Sequence, residues 1–127
     1  MSFDWGEYLS LAEELVGGPV TGPPVGLEAH RRAAVSRAYY AAFILARNHL
    51  RDVDGLRIPH HVNAHQFVVE QYRYDPDPIR AEIGRGLRRL RSARNQCDYD
   101  DIVQNLPNLS YLSLASAAQI LADLARL

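Results

Sequence analysis

The clearest pattern in the chain is a stripe of apolar side chains late in the sequence. Ile79, Ile83, Leu87 and Leu90 step by four, four and three residues, the spacing that keeps side chains on one face of an α-helix. The next positions on that face are Arg94 and Cys97, with Asp98 one turn beyond Arg94. A guanidinium thus stands where a core residue is expected. Asp77 as N-cap and Pro78 at the first helical position start this helix, and the pattern carries it to about Tyr99.

Four more helices are predicted by the same reasoning. Phe3 to Val16 forms the first, with Leu9, Ala12, Leu15 and Val16 on one side. GGPVTGPPVG, residues 17–26, breaks it with prolines and glycines. A long second helix runs from about Leu27 to His49 or Arg51. Ala34, Ala38, Ala41 and Leu45 mark one apolar line on it; Tyr39, Phe43, Ala46 and Leu50 mark another. Apolar positions on more than one side predict a central helix. Asn63 caps a third helix to about Tyr72 or Tyr74, anchored by Phe67, Val68 and Tyr72. Asn105-Leu106-Pro107-Asn108 is a break, and a last helix spans about Leu109 to Arg126, with Leu112, Leu114, Ala117, Ile120, Leu121 and Leu124 inward. No segment alternates long enough for a strand. The expected fold is all-α: an up-and-down bundle of four long helices and a shorter one, with short connections between antiparallel neighbours.

Length and composition agree with this. The 127 residues suit one domain, and 47% hydrophobic with 23% charged is ordinary for a soluble globular chain. No apolar run is long enough to span a membrane. The acidic N-terminus does not read as a secretory signal, and the single cysteine, Cys97, fits a reducing compartment. The expectation is therefore a cytoplasmic protein. Its net charge of -1 hides an asymmetry. Residues 1–28 carry five acidic and no basic side chains, whereas residues 80–94 carry six arginines against Glu82. All basic residues are arginines, donors suited to gripping phosphate or carboxylate in a fork, although coding bias produces the same composition.

Candidate chemistry is sparse. His60, His61 and His65 cluster at a spacing that can hold zinc, but neither a cysteine pair nor HExxH accompanies them. Solvated rings at a helix start are the expected reading, and neither a metal nor a cofactor is called for. The glycine-rich loop follows a helix and contains prolines, unlike a phosphate cradle. Arg85, Arg88 and Arg89 form a positive ridge that attracts nucleic acid or meets the acidic first helix. If the second and fourth helices pack side by side, Arg37, Tyr40, Arg94, Asn95, Asp98 and Tyr99 form one polar cluster. That cluster is either an ion-pair network setting helix register or a cleft for a phosphodiester.

SRAYYAAFILAR on a long helix, the isolated His65, and LRRLRSARNQCDYDD on a later helix together resemble the HEPN superfamily, over most of the chain from about Ala29. The resemblance implies a helical bundle that dimerises, often a metal-independent ribonuclease toxin, and often paired with a small nucleotidyltransferase. It implies a site built on Arg94 and Asn95, which match the first two positions of the family's active motif. Asp98, Tyr99 and Asp100 stand where the motif's histidine would fall. A HEPN-like module is therefore expected, acting with a nucleotidyltransferase in a toxin–antitoxin or stress-defence system and binding nucleotide or RNA. Arg94, Asn95, Asp98 and Tyr99 are its candidate catalytic residues, and Arg37, Tyr40, His65, Arg88 and Arg91 its candidate binding residues. The alternatives are a ribonuclease in which Tyr99 or His65 moves protons, and a purely structural helical adaptor.

Overall fold

The computed structural model describes residues 7–17, 24–60 and 63–127. Among them the fold is an all-α bundle of five helices: α1 (Glu7–Gly17), α2 (Pro24–Asp52), α3 (Ala64–Arg73), α4 (Pro78–Tyr99) and α5 (Leu106–Ala125). Three are long and two, α1 and α3, are short. The expected start of the first helix at Phe3 lies outside the described residues. None of the helices is long and apolar enough to cross a membrane.

α2 is the central element and packs against all four others. Alanine makes this possible: Ala34, Ala38, Ala41, Ala42 and Ala46 are fully buried on several sides of the helix, and with no long side chains they let neighbours approach closely. Val35 on another side joins Ala93, Cys97 and Leu106 in a small second core. α1 packs on α2 and α5 and makes no contact with α4. Among the described residues, the acidic first helix is therefore not the partner of the basic ridge. Arg85 and Arg89 instead pair with Glu82 of their own helix, at 2.8 and 3.2 Å.

Helix boundaries follow local signals where those are strong. At α4 the Asp77 carboxylate accepts from the Arg80 N–H at 3.2 Å, with Pro78 next to it, so the helix starts where expected. Elsewhere the structure corrects the reading. α2 begins at Pro24, inside the segment read as loop, because proline is tolerated in a first helical turn. α5 begins at Leu106, not Leu109, for the same reason: Pro107 sits in its first turn behind Asn105, which takes a left-handed conformation (φ 52°). The Asn63 side chain makes no capping bond to α3. Leu112, read as inward, is 55% exposed, whereas Leu114, Ala117 and Ile120 are buried.

Two contacts fix the helices around the later site. Gly84 lets α4 press against the end of α3; a Cβ there would lie 2.5 Å from the Arg73 Cα. Arg32 of α2 reaches the end of α4, where last-turn carbonyls lack helical partners. Its Nη1 donates to the carbonyls of Cys97 (2.9 Å) and Asp100 (2.7 Å), and its Nη2 to that of Asp101 (3.0 Å).

Candidate phosphate-binding site

The stripe of α4 turns its Arg94 toward α2. Ile83, Leu87, Leu90 and Cys97 on that stripe are buried, and the Arg94 side chain is 18% exposed. The guanidinium is held from several directions. Nη2 donates to the Tyr40 hydroxyl at 2.9 Å, and Nη1 to Asn95 Oδ1 at 3.1 Å. Nε lies 2.9 Å from Asp98 Oδ2 as an ion pair but without the direction of a hydrogen bond, so this buried N–H has no well-aimed acceptor. The rings of Tyr40, Tyr39 and Tyr99 surround the charge, with centroids 5.4, 5.6 and 5.6 Å from Cζ. Burial works against the Arg94 charge, but Tyr40, Asp98, Tyr99 and Tyr39 outweigh it and hold the pKa above the ordinary guanidinium value.

The expected cluster thus forms around Tyr40, Arg94, Asn95, Asp98 and Tyr99. Arg37 is exposed, and the Ser36 hydroxyl of α2 reaches Asp98, at 3.4 Å from Oδ2. Ser36, Tyr39, Tyr40 and Phe43 share one helical face by their three- and four-residue spacing. That face looks at α4.

His65 is the largest correction. It is not a solvated ring but a buried one, 9% exposed at the start of α3. Its Nδ1 lies 2.6 Å from the Tyr39 hydroxyl, and its ring stacks on Phe43 at 5.3 Å. Burial, with Arg91 and Arg94 adding to it, lowers its pKa from 6.5 to about 4. Burial likewise pushes Tyr39 up to about 12. Both are neutral near pH 7. A buried hydroxyl needs an acceptor, and Nδ1 is the one in reach. Tyr39 therefore donates to Nδ1, which leaves the ring proton of His65 on Nε2. Periodicity had placed Tyr39 in the core, and its polar role was missed because its partner is 26 residues away.

His65 also lines a cleft of about 260 Å³ between α3 and α4, together with Gln66, Glu70, Arg73, Arg88 and Arg91. Among the described residues, no carboxylate lies within ion-pairing distance of Arg73, Arg88 or Arg91. Glu70, the one acid in the lining, accepts from Gln66 Nε2 at 3.0 Å. Arginine without an acidic partner, beside a neutral N–H donor, makes a receptor for an anion. Arg73 was not singled out in the sequence, because only the packing at Gly84 brings the end of α3 to this cleft.

Cys97 is buried, and burial raises its thiol pKa to about 11, which removes it as a nucleophile. His60 is exposed, and His61 lies outside the described residues. Among the described residues no group of three or more His, Cys, Asp or Glu is placed to hold a metal ion. Comparison of the chain with protein-family models, curated proteins and solved structures gives no match.

Proposed function

We propose that this chain is a HEPN-like helical module that binds the phosphates of a nucleotide or RNA at the α3–α4 cleft. The observation that carries this reading is the convergence on neutral His65 of Arg73, Arg88 and Arg91, which have no carboxylate partners among the described residues. In it Arg88 and Arg91 grip phosphate oxygens, His65 donates its remaining N–H, and Arg94 holds the α2–α4 face in register. The sequence resemblance adds a small nucleotidyltransferase as partner, in a toxin–antitoxin or stress-defence pair. It also adds a homodimer, for which exposed Tyr99, Ile102, Tyr111 and Leu112 offer apolar area.

Binding is favoured over cleavage by the protonation states. Metal-free RNA cleavage needs a base for the 2′-OH and an acid for the leaving oxygen. A histidine with a pKa of about 4 has no extra proton to give near neutral pH, and Asp98 is committed to Arg94.

Fluorescence anisotropy with a labelled single-stranded RNA, over a series of salt concentrations, tests the proposal. Wild type binds, and Arg88→Ala/Arg91→Ala weakens binding at least roughly tenfold and lowers the salt slope by about 1.4, two phosphate contacts' worth for a single strand. Absence of binding by wild type, or equal binding by a folded double variant, overturns it. RNA cleavage in excess chelator, lost in Arg94→Ala, replaces it with the ribonuclease reading.

A further inference from the structure

A second arginine-lined hollow lies on the other side of the Phe43–His65 stack. It is a cavity of about 580 Å³ at the junction of α2, the turn after it and the start of α3. That volume suits a nucleotide-sized ligand. Phe43, Leu56 and Ile58 supply an apolar lining, and Arg47, Arg51 and Arg57 supply charge. The turn is built rather than loose: the Leu56 N–H donates to the Leu50 carbonyl at 2.9 Å, and Gly55 takes φ 72° to permit the reversal.

The charges in this cavity are unevenly matched. Arg51 is paired with Asp52 at 2.7 Å. Arg47 is half-buried and, among the described residues, bonds only the neutral Asn48 carboxamide, at 3.1 and 2.9 Å. Burial lowers its pKa, and the charge of Arg51 lowers it further, with Asp52 opposing. Arg57 has no carboxylate within ion-pairing distance among the described residues. A half-buried guanidinium whose charge is only partly offset is costly, and an anion entering the cavity relieves that cost. The apolar lining beside it suits the face of a base, which an inorganic anion would not use.

Position links this cavity to the cleft. Consecutive residues of α3 line one each, Ala64 the cavity and His65 the cleft. Phe43, in the cavity wall, stacks on His65 with centroids 5.3 Å apart. The cavity and the cleft thus adjoin along α3.

We infer that the Arg47–Arg57 cavity is a second nucleotide subsite, which takes the base and phosphate of the residue adjoining the one held at His65 in the same RNA strand. This rests on the phosphate-binding reading of the α3–α4 cleft and extends it from one site to a strand path.

The experiment compares a short single-stranded RNA with adenosine monophosphate as probes, on wild type, Arg47→Ala/Arg57→Glu and Arg57→Glu alone. Arg57 is exposed, so the single variant keeps the test sound if the double variant misfolds by circular dichroism. The expected result is roughly tenfold weaker RNA binding in the variants, a salt slope lower by about one contact per arginine removed, and unchanged affinity for the monophosphate. In parallel, the methyl resonances of Leu56 and Ile58 shift with RNA. If RNA binding depends on Arg88 and Arg91 but not on Arg47 or Arg57, the subsite is wrong and the cleft stands. If monophosphate binding falls as much as RNA binding, the cavity serves a free nucleotide and the strand path is wrong. If wild type binds no RNA, the cleft reading fails and the subsite fails with it.

Discussion

His65 makes the stability of this protein depend on mildly acid pH in a way that isolates one side chain. In the unfolded chain its pKa is about 6.5; in the folded chain burial and the nearby Arg91 and Arg94 charges bring it to about 4. Between those values the unfolded state binds a proton that the folded state refuses. Stability therefore has its full value above about pH 6.5 and falls as pH drops through the window. Each unit of difference is worth about 1.4 kcal/mol, so the loss is about 2.5 kcal/mol at pH 4.5 and approaches about 3.4 kcal/mol only well below pH 4. Against a typical total of about 5–15 kcal/mol that is easily resolved. Urea denaturation followed by circular dichroism at pH 7.5 and 4.5 measures it, with His65→Gln as the reference. Glutamine cannot charge, so the acid loss in the variant is smaller by about 2.5 kcal/mol, whatever the substitution costs at pH 7.5. Carboxylates that titrate lower contribute equally to both proteins and cancel. Equal losses in wild type and variant would refute the reasoning, as would an NMR titration placing the His65 pKa near 6.5.

Gly84→Ala is expected to destabilise by about 2–4 kcal/mol by thermal melting, despite alanine's better helix propensity, because its Cβ meets the backbone of Arg73 rather than a movable side chain. RNA binding at the cleft weakens in the same variant. Arg32→Ala is expected to cost about 1–3 kcal/mol, since it strips the carbonyls of Cys97, Asp100 and Asp101 of a shared donor. Hydrogen exchange should then show fraying confined to the last turn of α4, and uniform exchange across α4 would count against this role.

What the chain determined locally is read off it directly. The stripe from Ile79 to Cys97, the Asp77–Pro78 start and the Tyr99 end of α4 need only the period of a helix and the chemistry of its first turn. The alanines of α2 announced a central helix because a small side chain leaves room on several sides at once. Arg94 announced itself by interrupting an apolar stripe, and its i,i+4 partner Asp98 was visible at the same spacing. Tertiary structure decided which faces meet. Periodicity says which residues share a side of a helix, but not the rotation and offset of the neighbour laid against it. Those two quantities bring Ser36 to Asp98, join Tyr39 to His65, and carry Arg32 to the end of α4. They also bury His65, and burial rather than residue type makes it a neutral donor. A histidine's charge near neutral pH is set by the solvent and charges around it, and those exist only once α2, α3 and α4 have packed.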